Sequence, residues 1–128
     1  MHPWLKEFYP VPADTITNDR AALEHSIQKW TGLLHENLKK HNVKFWYMSV
    51  VDAQGFIICK VDDSTCALCV IHKKGQSVCD RCPLCQFLGH PCDSRESQFY
   101  PSFYHNALSK PSIMIDALQK CLQNDFTS

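Results

Sequence analysis

NDRAALEHSIQKWTGLLHENLKKH, residues Asn18 to His41, places Leu23, Ile27, Trp30, Leu34 and Leu38 at intervals of four, three, four and four. Such spacing keeps the apolar side chains on one face of an α-helix, so the stretch predicts a long helix packed against a core. Thr17 or Asn18 can cap its first amides. Lys39, Lys40 and His41 stand where the helix dipole favours cations, and Asn42 can stop it. Gly32 is expected to weaken this helix slightly without breaking it. Working outward, "KFWYMSVV" and "FIICKV" are rich in β-branched and aromatic residues and are separated by "DAQG". They read as a β-hairpin with Gly55 at a positive φ. Near the other end, Ser109 and Pro111 open a helix in which Met114, Leu118, Cys121 and Leu122 share a face. Cys59 and Cys121 read as small buried hydrophobes.

The expected fold class is therefore α+β in a single domain over residues 1–128. Residues 1–17 form an extended arm with Pro3, Pro10 and Pro12 among Trp4, Phe8 and Tyr9, and residues 18–61 form the helix and hairpin. Residues 62–104 are an irregular cysteine-rich segment, and residues 105–128 hold the short C-terminal helix. With 128 residues, 45% hydrophobic and 20% charged, the chain has the composition of a globular protein. Thirteen basic residues balance thirteen acidic ones, so net charge gives no support to a nucleic-acid partner or an anionic membrane surface. The longest apolar runs, around Phe45–Val51 and Phe56–Cys59, fall far short of the roughly 20 residues needed to cross a bilayer. The opening residues lack the pattern of a secretory signal, and the expected location is the cytoplasm.

Five of the eight cysteines lie between Cys66 and Cys85, and Cys92 follows. Without an export signal, a disulfide framework is disfavoured; eight cysteines could pair in about 105 ways with no evident scheme. Cys66-x2-Cys69 and Cys79-x2-Cys82, separated by nine residues, have the spacing of paired metal knuckles. Two thiolates three positions apart can reach one tetrahedral Zn²⁺ at about 2.3 Å, with backbone N–H groups turned toward the sulfurs. Cys66, Cys69, Cys79 and Cys82 are the preferred ligands of a closed, structural zinc. Cys92 is the alternate for Cys79, and His72 or His90 could substitute with an imidazole. Lys73, Lys74 and Arg81 can offset the charge of four thiolates. The series Cys79-x2-Cys82-x2-Cys85 keeps an iron–sulfur cluster open as the alternative cofactor. "CPLC", Cys82 to Cys85, looks locally like a Cys-Pro-x-Cys redox site. It lacks the preceding strand and following helix that lower the first thiol's pKa. "HENLKKH", His35 to His41, sets its second histidine two positions too late for a zinc-protease helix, and no Walker, nucleophile-elbow or dinucleotide motif occurs.

Trp30 in "IQKW", then "CALC", then "CDRCP", then Gly89 and Cys92 in "LGHPC" follow an order that resembles small cysteine-rich proteins encoded by phages and prophages. Cys85 and the long "SRESQFYPSFY" link depart from that pattern. The resemblance implies a non-enzymatic accessory protein that acts in the host cytoplasm by binding a host or phage protein. Phe99, Tyr100, Phe103 and Tyr104 would then cover the metal loop or form a contact patch. The alternatives are a zinc-ribbon nucleic-acid-binding protein using Lys39, Lys40, Lys73, Lys74 and Arg81, and a thiol oxidoreductase using Cys82 and Cys85.

Overall fold

The computed structural model describes residues 1–61, 66–73 and 107–126, apart from the side chains of 69, 72–73 and 124–126. Pro3–Phe8 form helix α1, where the first 17 residues read as an extended arm. Pro3 takes the first helical position, where its missing N–H costs nothing, and the His2 Nδ1 accepts the Trp4 N–H at 3.1 Å. The two helix-borne aromatics, Trp4 and Phe8, belong to the core. A 3-10 turn at Ala13–Thr15 leads into α2, Asp19–Thr31, whose first turn is capped by Asn18 through the Ala21 N–H at 2.9 Å.

The helix expected to run to His41 ends instead at Gly32 and restarts as α3, His35–Lys40. Its last carbonyls close tighter backbone bonds, Leu33 N–H to Trp30 O at 3.0 Å and Leu34 N–H to Thr31 O at 3.2 Å, and side chains add to these. The Trp4 indole N–H donates to Gly32 O at 2.9 Å, and Asn37 Nδ2 donates to Thr31 O at 2.8 Å. The break turns Leu33 into the core, while Leu34 and Leu38 are only half-buried. Because α1 crosses so close that a Cβ on Gly32 would lie 2.6 Å from Phe8 Cγ, glycine is required here for its lack of a side chain.

The expected hairpin is the second half of a three-stranded antiparallel meander in the order β1 (Lys44–Trp46), β2 (Ser49–Val51), β3 (Ile57–Lys60). Its β2–β3 turn is as the sequence suggested. Gly55 has φ +89°, and the Asp52 carboxylate accepts the N–H groups of Gln54 and Phe56 at 3.0 and 2.9 Å. The β1–β2 turn was not anticipated. "KFWYMSVV" folds back on itself at Tyr47 and Met48, whose φ values of +47° and +60° are those of a two-residue primed hairpin turn.

Two further helices complete the described chain. Ala67–Lys73 form α4, which begins the segment read as irregular; Pro111–Phe126 form α5, preceded by a helical turn at 107–109. α2 packs chiefly on α5 and also on α4, and the core runs from Trp4 through Leu23, Trp30 and Leu68 to Met114, Leu118 and Cys121. The fold is α+β, with an N-terminal helical layer, a small sheet and a C-terminal helix.

Candidate functional site

Two regions bear on function, the first cysteine knuckle and the exposed side of the sheet. Ala67 and Leu68 are buried, Val70 and Ile71 pack on the same core, and this i, i+1, i+3, i+4 pattern makes the residues after Cys66 helical. Cys66 immediately precedes α4, and its carbonyl accepts the Val70 N–H at 2.9 Å. It is half-buried, and Cys69 lies one turn later in the helix. Cys66 and Cys69 thus bracket the first turn of α4.

Cys59 and Cys121 are buried, as read, and Cys59, Cys66 and Cys121 carry no disulfide. Tyr9 lies close enough to Cys59 and Cys66 for both to influence it. Burial pushes its phenol above the usual tyrosine range, Ala13 N–H bonding to its oxygen opposes that shift, and Cys59, Asp14 and Cys66 add to it. Among the described side chains no group of three or more His, Cys, Asp or Glu is placed to hold a metal ion. Cys79, Cys82, Cys85 and Cys92, with His90, Lys74, Arg81 and the aromatics at 99–104, lie outside the described residues. For His72 and Lys73 only the backbone, within α4, is described. Of the lysines that a nucleic-acid reading would use, Lys40 is held by Glu7, its Nζ donating to both carboxylate oxygens at 3.0 and 3.2 Å.

The sheet carries the feature that the sequence did not reveal. Its register sets Trp46, Ser49 and Lys60 in one cross-strand row and Lys44, Val51 and Ile57 in the next. Both rows lie on the opposite side of the strands from Val50 and Cys59; their central members Ser49 and Val51 are buried, and the exposed residues are at the edges and turns. At the edges and turns of this side Tyr47 is 83% exposed, Phe56 71%, Ile57 60% and Trp46 58%. The Trp46 and Tyr47 rings meet edge to face with centroids 4.8 Å apart. Tyr47 and Met48 also occupy left-handed backbone positions that Asn and Gly adopt more cheaply. Two large apolar residues are therefore held out toward water by a turn that disfavours them. The run "KFWYMSVV" reads as one continuous strand, and the turn lacks the Asn-Gly chemistry that would have marked it.

Comparison with known protein families, with curated proteins and with solved structures finds no match. No helix among the described residues is long and apolar enough to cross a membrane.

Proposed function

We propose that this chain is a non-enzymatic accessory protein of phage type that acts in the host cytoplasm by binding a host or phage protein. In this reading a structural zinc orders its cysteine-rich half. The observation that carries the interaction reading is the Trp46-Tyr47-Met48 turn. Exposed aromatics and methionine are the side chains enriched at protein interfaces, and backbone strain retained at a surface turn is a mark of selection for something other than stability. The zinc reading is supported by Cys66 and Cys69, one turn apart at the start of α4, with Cys79 and Cys82 supplying the second pair. When bound, the ion would cross-link two segments through its four thiolates. It would leave no position for catalysis, and folding of the segment would be coupled to metal.

The test combines metal analysis with partner capture. Protein purified without added metal should contain about one zinc and remain colourless; a brown protein would replace zinc with an iron–sulfur cluster. Tagged wild-type protein and a Trp46→Ala/Tyr47→Ser variant should then be compared on lysate of the host. A protein retained by the wild type and by an exposed control, Lys120→Ala, but lost by the turn variant supports the reading. Retention of the same proteins by all three refutes a role for the turn.

A further inference from the structure

Among the described residues β3 is an edge strand of the sheet, and its ladder leaves backbone groups turned outward. Val61 N–H donates to Met48 O at 2.7 Å, so in antiparallel alternation Val50 and Cys59 exchange the next pair of bonds. Lys60, opposite Ser49 between those pairs, directs its own N–H and C=O away from β2. Ile58 is the extra residue of a bulge between Val50 and Val51 on the facing strand, and it has no ladder partner. Among the described residues no hydrogen bond occupies the Lys60 N–H, and its carbonyl receives only the weak Cys59 Sγ–H at 3.4 Å.

Beside this edge runs an open cleft of 380 Å³, with Leu5, Tyr9 and Pro12 on one side and Ile58, Cys59 and Lys60 on the other. Three consecutive strand residues point alternately to the two faces, so a cleft that touches all three follows the strand's edge rather than one face. Its walls are mostly apolar. The Lys60 side chain emerges on the opposite, outward face in the row of Trp46 and Ser49, exposed and with no ion pair among the described residues.

We infer that the open edge of β3 and its adjoining cleft bind an extended peptide segment of a partner protein that alternates apolar and acidic residues. The peptide pairs with the backbone of Ile58 and Lys60 as an added strand. Its apolar side chains enter the cleft toward Leu5, Tyr9 and Pro12, and an acidic side chain on the other face meets Lys60. A second copy of this chain is a poorer occupant, because antiparallel self-pairing of the edge would bring two Lys60 cations within a few residues of each other. A lysine and a bulge are the devices that guard an edge against its own kind. This inference rests on reading the chain as an interaction protein, but it uses a surface separate from the Tyr47 turn.

The probe is a fluorescein-labelled, end-blocked octapeptide of alternating valine and glutamate, followed by fluorescence anisotropy on the full chain with zinc present. Saturable binding is expected with a Kd on the order of 100 µM, as suits one added strand. Replacing glutamate by lysine in the peptide should weaken binding at least about threefold, and N-methylation of its inward-facing amides about fivefold. Lys60→Glu, an exposed change that leaves the core intact, should weaken the glutamate peptide and strengthen the lysine peptide. Amide exchange at Ile58 and Lys60 should slow when the glutamate peptide is bound. The inference is overturned if no saturation occurs below about 1 mM, if the charge swap does not reverse the preference, or if the edge instead forms a dimer that Lys60→Glu alters. The same experiment on the Trp46→Ala/Tyr47→Ser variant separates the two readings: peptide binding should survive there even if capture of the larger partner fails.

Discussion

Gly32→Ala is the substitution whose outcome the packing of α1 on α2 decides. Gly32 has φ −66° and ψ −17°, ordinary helical values, so backbone preference alone would make alanine better by as much as about 1 kcal/mol. The steric term acts the other way. A Cβ at this position would lie 2.6 Å from Phe8 Cγ, 2.7 Å from Phe8 Cβ and 2.8 Å from Phe8 Cδ2. A ring can rotate away, but Phe8 Cβ cannot leave without moving α1. Overpacking of this kind costs roughly 1–3 kcal/mol, and the contact with the fixed Cβ puts this case toward the upper end. Moving α1 also stretches the 2.9 Å bond from the Trp4 indole to Gly32 O, a further loss of about 1 kcal/mol. The balance is a destabilisation of about 2–3 kcal/mol, or a fall in Tm of roughly 6–12 °C for a chain of this length. Thermal unfolding followed by circular dichroism at fixed zinc measures it, and faster exchange of the Trp4 indole proton reports whether α1 has moved. An unchanged or raised Tm would show that propensity outweighs the clash and that α1 is not seated against Gly32 as described.

The other glycine with a conformational demand fails for a different reason: no atom lies within 4 Å of a Cβ on Gly55, but φ +89° strains any L-residue. Gly55→Ala should therefore cost about 1 kcal/mol and Gly55→Asn distinctly less, in urea melts that leave the m-value unchanged. Replacing Tyr47-Met48 by Asn-Gly should raise stability by about 1 kcal/mol while abolishing partner capture; a gain in stability with capture intact would remove the turn from the interface. Glu7 accepts a bond from His41 Nε2 at 2.7 Å and two from Lys40, and these hold its carboxyl below its ordinary value of 4.5. Because the folded value is the lower one, its contribution is present above about pH 4.5 and is lost as pH falls through the folded value. Glu7→Gln should thus lower Tm at neutral pH and flatten its acid limb. Cys69→Ser should lose zinc and the cooperative unfolding of the cysteine-rich half, whereas Cys85→Ser should retain both, read by metal content and by chelator-induced unfolding.

Periodicity in the sequence located the buried faces better than it located the ends of elements. Leu23 and Trp30 are buried as their spacing implies, and Met114, Leu118 and Cys121 line α5 as read. The same period ran on through Leu34 and Leu38, and Leu38 of α3 does pack on the core that α2 lines, so apolar spacing alone could not reveal a break between them. Part of what holds the break is local, Asn37 Nδ2 on Thr31 O, and part is tertiary. The indole of Trp4, 28 residues away, takes the Gly32 carbonyl, and no local signal carries that information. Residues 1–17 read as an extended arm although a local signal for α1 is present: a proline followed by Trp4 and Phe8 at four-residue spacing can start a helix, and Pro10 and Pro12 outweighed it. In "CALCVIH" the cysteines concealed an ordinary amphipathic pattern at Ala67, Leu68, Val70 and Ile71. The turn at Tyr47-Met48 was hidden because neither residue is one that a primed turn ordinarily uses, and a violated local rule is where function is expected to show.

The position of the first knuckle links the two readings physically. Cys66 follows Lys60 by six residues, and Val61, between them, is fully buried and bonded to Met48 O. The chain leaving the edge strand is therefore pinned at Val61, and a metal-bound Cys66 would fix it again within five residues, at the start of a helix that packs on α2. An edge strand that must accept a peptide gains affinity from being held still beforehand, because the ordering cost is then met in folding and not in binding. On this argument zinc removal should weaken the peptide at the β3 edge even though no ligand touches it. The effect should be largest for the contacts nearest Lys60 and absent at the Tyr47 turn's far side, at Trp46. Peptide titrations with and without a chelator, read by amide shifts along β3 and β1, would show that gradient. A uniform loss across the sheet would mean that the metal sustains global stability alone, and equal affinity in both states would mean that the edge is fixed by its own packing.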